Sequence, residues 1–164
     1  MAQSDRPPPD ATWLELKIPP PAVVAIAAAA MWLLPAVATT PRLGPLHAWW
    51  AAALAAAGAA VALAGVIEFR RAHTTIDPRR PSAASALVVQ GIYRYTRNPM
   101  YLGMLIVLLG WAVYLAKLSA FLALPLFVWY LTVFQIRPEE RALRERFGAE
   151  FDAYAARVRR WVGR

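Results

Sequence analysis

Cysteine is absent from the 164-residue sequence, and histidine occurs only twice, at His47 and His73. The absence of cysteine excludes disulfides, cysteine-ligated zinc or iron–sulfur centres and a cysteine nucleophile in this chain. With so few histidines a histidine-rich metal site is not expected, and we predict no metal centre. Charged residues are also scarce, at 17% against the roughly 25% that is usual in soluble domains. The composition is therefore unlike that of a soluble domain.

Apolar residues take the place of the missing charge. Hydrophobic residues make up 59% of the chain, and its mean hydropathy is +0.39. Lysine and arginine outnumber the acids by 18 to 10, which gives a net charge of +8. A basic excess can indicate nucleic-acid binding, but these arginines bracket apolar runs, as is typical of the cytoplasmic flanks of membrane helices. We therefore predict contact with membrane lipids and no nucleic-acid partner.

Four apolar runs are candidates for membrane helices. A proline-bearing turn separates the first two, and Pro35 is expected only to kink the first run near its end. The last two are separated by residues 116–118 alone, which predicts a tight helical hairpin. The fold class expected is an all-α integral membrane protein with four transmembrane helices, at residues 22–39, 48–67, 100–115 and 119–134.

Three polar segments flank these runs. We expect a loose tail over residues 1–17, a surface loop over residues 70–99 between the membrane segments 18–69 and 100–135, and an amphipathic helix over residues 136–164. Positive residues concentrate in the loop and the C-terminal segment, so the positive-inside rule places both termini and the loop in the cytoplasm. The amphipathic helix is predicted from apolar residues that recur every three or four positions, namely Leu143, Phe147, Phe151, Tyr154, Val158 and Trp161.

Two polar blocks lie on the predicted cytoplasmic side: GIYRYTRNPMYLG at residues 91–103 and IRPEERALRERFGAEFDAY at residues 136–154. The hairpin between them brings Arg97, Asn98 and Tyr101 near Glu139 and Glu140. Guanidinium groups can hold a carboxylate or phosphate, carboxylates can hold ribose hydroxyls or an amine, and aromatic rings can cover a base. The blocks therefore favour a zwitterionic, nucleoside-bearing cofactor. The GxxxxGK and GxGxxG motifs, which would indicate ATP or NAD in their common folds, are absent.

Ordinary structural roles account for some of the same residues. Glu139 and Glu140 follow Pro138 in the first turn of a helix, where acids complement the helix dipole. Arg94 and Arg97 are also suited to contacting lipid phosphates, and the tyrosines to an interfacial aromatic belt. The residue types taken singly leave both interpretations open.

The joint pattern is more specific. A G-x-Y-x-Y-x-R-[HN]-P-x-Y-x-G block, followed about 35 residues later by E-E-x-x-L-x-x-x-F-G-x-E-[FY]-x-x-Y, resembles the bacterial branch of the isoprenylcysteine carboxyl methyltransferase and phospholipid methyltransferase family. The resemblance covers residues 74–161. It implies a bacterial inner-membrane enzyme with S-adenosylmethionine as methyl donor. The motif positions that it carries over are Tyr93, Arg97, Asn98, Pro99, Tyr101 and Gly103, and Glu139, Glu140, Leu143, Phe147, Gly148 and Tyr154.

The chemistry of the motif residues suggests, as a hypothesis, that Glu139 and Asn98 hold the polar parts of the cofactor. Many relatives have histidine where this chain has Asn98, and the change keeps hydrogen bonding but removes a titratable group. Arg97, Arg137 and Glu140 are assigned to catalysis, with Arg97 or Arg137 orienting an anionic acceptor. The residues assigned to the cofactor are Leu87, Val88, Gly91, Tyr93, Asn98, Tyr101, Gly103, Glu139 and Glu140.

Methyl transfer from a sulfonium is an in-line displacement that depends mainly on positioning. A carboxylate acceptor needs no general base, whereas an amine must lose a proton, for which Glu139 or Glu140 is the candidate. The acceptor is expected to be a lipid or a prenylated molecule. Two other hypotheses remain open: a membrane sterol-type reductase that uses a nicotinamide cofactor, and a lipid-binding membrane scaffold without enzymatic activity.

Overall fold

The computed structural model describes residues 15–39, 46–72 and 86–163, and the regular elements in these ranges are helices. The predicted tail residues 1–14, the turn around Arg42 and residues 73–85 of the predicted loop lie outside the described residues. The elements are α1 (Pro20–Leu33), α2 (His47–Arg71), a 3-10 helix (Gly91–Arg94), α3 (Pro99–Leu115), α4 (Leu118–Leu131), a π-helical turn (Thr132–Ile136), α5 (Arg137–Phe147) and α6 (Ala149–Arg157). The all-α prediction is confirmed for these residues.

Two of these helices are long and apolar enough to cross a membrane. They are His47–Arg71, with 25 residues, and the continuous helix Leu118–Phe147, with 30 residues, which joins α4, the π-helical turn and α5. A helix of 30 residues rises about 45 Å, which exceeds the roughly 30 Å of a hydrocarbon core. The apolar part of this helix ends at Ile136, so α5 extends beyond it as a charged continuation.

The first apolar run forms a shorter helix than predicted. Leu34 has φ −58° and ψ 135°, the extended conformation that the residue before a proline favours, and α1 therefore ends at Leu33. The expectation that Pro35 merely kinks a helix reaching residue 39 is wrong. The end of α1 and the residue after it instead pack on the hairpin turn, where Lys117 Nζ donates to the carbonyls of Trp32 at 2.8 Å and Leu34 at 3.3 Å.

The hairpin itself is confirmed. Helix α3 ends at Leu115, Ala116 adopts the left-handed conformation with φ 51°, and α4 begins at Leu118. This turn sends α4 back along α3, so the start of α3 and the end of α4 lie at the same end of the molecule. The two polar blocks are attached at these points.

Helix α2 packs closely on α3 through small residues. A Cβ atom on Gly58 would lie 2.6 Å from the carbonyl oxygen of Gly103 and 2.7 Å from the backbone nitrogen of Val107. The two backbones can approach this closely because the glycines have no side chain, as is common between membrane helices. Gly103, which the sequence assigns to the cofactor site, therefore lies in this helix interface.

Large apolar side chains also face outward from the helices. Leu63 of α2 is 59% exposed, and Leu122 and Leu126 of α4 are 64% and 66% exposed. Many large apolar side chains exposed on apolar helices suit a lipid environment. The outer surface thus agrees with the membrane assignment.

The C-terminal segment is two helices rather than the single amphipathic helix predicted. Gly148 has φ 50° and ψ −124°, a conformation that side-chain-bearing residues rarely adopt, and it separates α5 from α6. Helix α6 folds back toward α5, with Arg144 Nε 2.7 Å from Asp152 Oδ1. Most of the apolar face nevertheless stays together, since Phe151, Tyr154 and Val158 pack in one cluster with Val88 and Tyr93. Trp161, predicted on the same face, packs instead against the core formed by α1, α3 and α4.

The last residues of the predicted N-terminal tail are docked. Leu16 donates its backbone N–H to the carbonyl of Phe134 at 3.0 Å, and Glu15 Oε2 lies 2.5 Å from Arg141 Nη2. The prediction of a loose tail is therefore wrong for residues 15–17.

Candidate active site

A cavity of about 90 Å³ lies at the charged end of the helices, between the start of α3, the end of α2, the chain before α3 and helices α5 and α6. Both polar blocks contribute to its wall. Its lining residues are Phe69, Ala86, Leu87, Val88, Tyr93, Arg97, Asn98, Met100, Tyr101, Glu139, Glu140, Leu143, Phe151 and Tyr154.

Most of the residues assigned to a site from the sequence meet at this cavity. Leu87, Val88, Tyr93, Arg97, Asn98, Tyr101, Glu139 and Glu140 all line it. Three others lie elsewhere. Gly103 faces Gly58 in the interface between α2 and α3, Gly91 lies against Glu68, and Arg137 is exposed outside the lining.

Gly91 shapes the approach to the cavity. Its φ of +57° suits glycine, and a Cβ atom there would lie 2.6 Å from Cδ of Glu68 at the end of α2. Glu68 also pairs with Arg71 at 3.1 Å. The absence of a side chain at Gly91 thus lets the 3-10 helix pack on α2, which places Tyr93 in the cavity wall beside Phe69, with ring centroids 5.5 Å apart.

Glu140 is the most heavily bonded carboxylate of the site. Arg97 Nη2 donates to its Oε1 at 2.6 Å, and Arg160 donates from Nη2 to its Oε2 at 2.8 Å and from Nε to both oxygens at 3.0 Å. Glu140 and Arg97 are buried, with side chains 10% and 11% exposed, while Arg160 is 40% exposed. Two guanidinium groups therefore neutralise one buried carboxylate, which is the condition for burying a charge without a large penalty.

The start of α3 and the C-terminal segment are also joined through the backbone. Arg97 Nη1 donates to the carbonyl of Ala155 at 2.9 Å, and its backbone N–H donates to the carbonyl of Arg159 at 3.0 Å. Thr96 Oγ1 and Asn98 Nδ2 both donate to the carbonyl of Arg160, at 3.2 and 3.0 Å. The amide of Asn98 thus holds the C-terminal segment in place.

Glu139 has a different environment from its neighbour. The hydroxyl of Tyr101 donates to Glu139 Oε1, and among the described residues no lysine or arginine forms an ion pair with this carboxylate. Glu139 lies one turn beyond the apolar part of its helix, and burial raises the pKa of its carboxyl group from 4.5 to about 8. Adjacent positions therefore carry one neutralised carboxylate and one that has no positive partner in the described protein.

Two tyrosines complete the wall. Tyr154 donates its hydroxyl to the carbonyl of Tyr93 at 2.8 Å, which links α6 to the 3-10 helix. Burial raises the pKa of both phenols above the ordinary value, so both stay neutral at physiological pH. The two rings contribute apolar surface to the wall of the cavity.

Sequence reasoning missed Arg160 and Phe69. Arg160 is one of eight arginines between residues 137 and 164, and no spacing distinguishes it from the others. Its role depends on the break at Gly148, which lets the C-terminal segment return to Glu140. Phe69 lies at the end of an apolar run, and in the sequence nothing distinguishes it from the other apolar residues of the membrane helix.

Comparison with known proteins agrees with this arrangement. Residues 46–150 match the phospholipid methyltransferase family, which covers more than half of the chain, and the chain belongs to this family. The match includes α2, the first polar block, the hairpin, α5 and the start of α6. The family resemblance predicted from the two polar blocks is confirmed.

Individual relatives cover smaller parts. The chain is 32% identical over 93 residues to protein-S-isoprenylcysteine O-methyltransferase B of Arabidopsis thaliana, which is 57% of this chain and 47% of that protein. It is 38% identical over 72 residues to a probable protein-S-isoprenylcysteine O-methyltransferase of Oryza sativa subsp. indica, which is 44% of this chain and 38% of that protein. The chain thus spans less than half the length of these plant relatives.

A shorter bacterial relative is matched over its whole length. The chain is 40% identical over 63 residues to an uncharacterized protein of Haemophilus influenzae, which is 38% of this chain and 100% of that protein. No solved structure gives a significant match.

Replacing Arg97 by glutamine is expected to lower the free energy of unfolding by about 2–3 kcal/mol, because it removes one partner of a buried ion pair. Arg160 stays bound to Glu140, so the loss remains below the roughly 3–5 kcal/mol of a fully orphaned charge. The double variant Arg97→Gln/Glu140→Gln should lose less than the sum of the single variants. Denaturant unfolding in detergent micelles measures these values, with Arg144→Gln in an exposed pair as the control. Additive losses would show that the pair is not coupled.

The stability of the protein is expected to fall between about pH 5 and pH 8 through Glu139. In this window the unfolded chain loses the proton while the folded chain keeps it, because the folded pKa is raised to about 8. Glu139→Gln has no such proton to lose, so its stability should not fall in this way. The difference in stability between the variant and the native chain should therefore favour the variant more at pH 8.5 than at pH 6. Thermal unfolding midpoints in detergent at the two pH values measure this difference. A variant that follows the native pH profile would show that Glu139 is ionised throughout.

Proposed function

We propose that this protein is an integral membrane methyltransferase that transfers a methyl group from S-adenosylmethionine to a lipophilic acceptor. The observation that supports it most directly is that the family's two sequence blocks, separated along the chain by the helical hairpin, line one cavity at the charged end of the helices. Neither membrane insertion nor helix packing requires these blocks to meet around a cavity.

The residues of the cavity suit one end of this cofactor. A carboxylate with little access to water is costly unless a positive group accompanies it, and the partly buried Glu139 has none among the described residues. S-adenosylmethionine carries a positive amine and a positive sulfonium, either of which would supply the missing charge. Asn98 and Tyr101 offer polar contacts beside Glu139, and the apolar rings of Tyr93 and Phe151 offer a surface for a flat base.

The cavity is large enough for only part of the cofactor. Small-molecule pockets usually have volumes of roughly 300–1,000 Å³. The enclosed volume here is about 90 Å³, and we therefore assign to it one end of the cofactor.

The two carboxylates take different roles in this proposal. Glu140 is bound by two guanidinium groups, so its part is to hold the start of α3 and the C-terminal segment together. Glu139, once a bound cation has displaced its own proton, is the group that can pair with that cation or, for an amine acceptor, take up the proton that the nitrogen must lose. For a carboxylate acceptor no proton moves, and Glu139 serves only to bind the cofactor.

The arginines can be ranked by their accessibility. Arg97 is nearly buried and uses both terminal nitrogens, on Glu140 and on the carbonyl of Ala155. Arg160 binds Glu140 as well, yet 40% of its side chain is exposed at the edge of the site. We therefore assign to Arg160 the contact with an anionic group of the acceptor. Arg137 is exposed outside the cavity lining, and we assign it no contact with the reacting groups.

Bound S-adenosylmethionine supplies an activated methyl group on a sulfonium. The protein's part in such a displacement is to align the two reactants and to exclude water. The apolar side chains of Leu87, Val88 and Leu143 line the cavity and exclude water from it. Asn98 and Glu139 bind the polar end of the cofactor. The positions of these groups follow from the ion pairs around Glu140.

The membrane arrangement supports a lipophilic acceptor. We propose that α1, α2, α3 and α4 all cross the bacterial inner membrane, with both termini on the cytoplasmic side. The outward-facing leucines of α2 and α4 and the concentration of arginines at one end support this orientation. An acceptor with a prenyl or acyl chain would then reach the site from the lipid, and the cofactor from the cytoplasm. An isoprenylcysteine-type carboxylate and a phospholipid-like molecule both meet this description.

The test is a calorimetric titration of the detergent-solubilised protein with S-adenosylhomocysteine. We expect saturable binding to the native chain and binding at least about 10-fold weaker for Glu139→Gln, because a hydrogen bond or ion pair to a charged group contributes roughly 1.5–3 kcal/mol. Glu145→Gln, an exposed change on the same helix, is the matched control and should bind like the native chain.

Two results would contradict the proposal. Absence of binding to a folded native chain would rule out the cofactor assignment, and stabilisation by NADPH in its place would favour a nicotinamide-dependent reductase. Equal binding by the native chain and Glu139→Gln would show that the cofactor does not bind in this cavity.

A further inference from the structure

Residues 15–18 form a turn on the helix that carries Glu139 and Glu140, at the point where its hydrogen-bond pattern changes. The turn Thr132–Ile136 is π-helical, and the N–H of Arg137 donates to the carbonyl of Thr132, five residues back. A π-helical turn accommodates one extra residue in an α-helix and rotates the part of the helix beyond it. Pro138 comes directly afterwards and has no N–H to donate. The helix is therefore least constrained by its own backbone just before the two carboxylates.

The N-terminal turn supplies bonds that the helix lacks. Pro138 cannot donate to the carbonyl of Phe134, four residues back, and the N–H of Leu16 donates to this carbonyl at 3.0 Å. One residue further along, the fully buried Gln135 donates from Nε2 to the carbonyl of Ile18 at 2.8 Å. Two hydrogen bonds thus join the N-terminal turn to the π-helical turn.

A third contact lies on the other side of the carboxylates. Arg141 Nη2 is 2.5 Å from Glu15 Oε2, and the two side chains are 36% and 15% exposed. Leu16, next to Glu15, has φ +57°, a left-handed conformation that is unfavourable for a residue other than glycine. Such a conformation persists where the surrounding contacts hold it.

We propose that residues 15–18 act as a positioning element for the active site, with Glu15 as the positioning residue. The contacts at Phe134 and Gln135 precede Glu139 and Glu140, and the contact at Arg141 lies beyond them. Together they set the rotation of the helix past the π-helical turn, and with it the direction of both carboxylates. This role rests on the proposed function, since it is exerted on the cofactor site.

The experiment compares Glu15→Arg, Arg141→Glu and the double charge swap in detergent, well below their unfolding temperatures. Amide hydrogen exchange over residues 132–143 is the first readout, and the affinity for S-adenosylhomocysteine is the second. Each single variant should exchange faster in this segment and bind roughly 3- to 10-fold more weakly, which lies in the lower part of the range for directly coupled residues. The double swap restores an ion pair and should recover most of both losses. Asp152→Asn, which breaks the exposed pair with Arg144, is the matched control and should change neither.

The outcomes separate this inference from the function on which it rests. Unchanged exchange in the single variants, or faster exchange with unchanged affinity, would overturn the positioning role. A double swap that recovers neither readout would also contradict it, because the ion pair would then not be the cause. Absence of binding to the native chain would instead contradict the proposed function, and the exchange measurement would still test whether residues 15–18 hold the helix.

Discussion

The site depends on the ion pairs of Glu140. One buried carboxylate takes guanidinium groups from Arg97, before α3, and from Arg160, beyond α6, with donor–acceptor distances of 2.6–3.0 Å. The helix that carries Glu140 is thereby fixed to two segments that are distant in sequence. Because a buried carboxylate is stable only with such partners, the three segments must come together as a unit. Glu139 and the cavity occupy the space that this unit encloses.

Both guanidinium groups of the site bind Glu140, and the adjacent Glu139 has neither of them as a partner. Glu139 points into the same cavity with the hydroxyl of Tyr101 as its partner, and burial raises its pKa to about 8. Two like residues at adjacent positions thus differ in their surroundings: Glu140 is held by two guanidinium groups, and Glu139 has no positive partner among the described residues. The close packing of Gly58 on Gly103 holds α3 in place and so keeps Tyr101 within reach of Glu139.

Local patterns predicted the parts of this arrangement that neighbouring residues determine. The three residues between the last two apolar runs predicted the hairpin, and the hairpin predicted that the two polar blocks meet. The end of α1 at Leu33, the break at Gly148 and the docking of Glu15 were missed. A glycine in an amphipathic pattern does not reveal its φ, and Arg160 gains its partner only after the chain reverses there. Gly103 belongs to the family motif, but its place is decided by the packing of α2.

The central claim is that the two sequence blocks bind S-adenosylmethionine together. Photo-crosslinking with S-adenosylmethionine that carries a radiolabelled methyl group, followed by peptide mapping, tests this most directly. The account predicts label in peptides that contain residues 87–101 and 139–154, and loss of that label with excess S-adenosylhomocysteine. Label at the opposite end of the helices, around Trp111 and Tyr114, or label that S-adenosylhomocysteine does not displace, would contradict it.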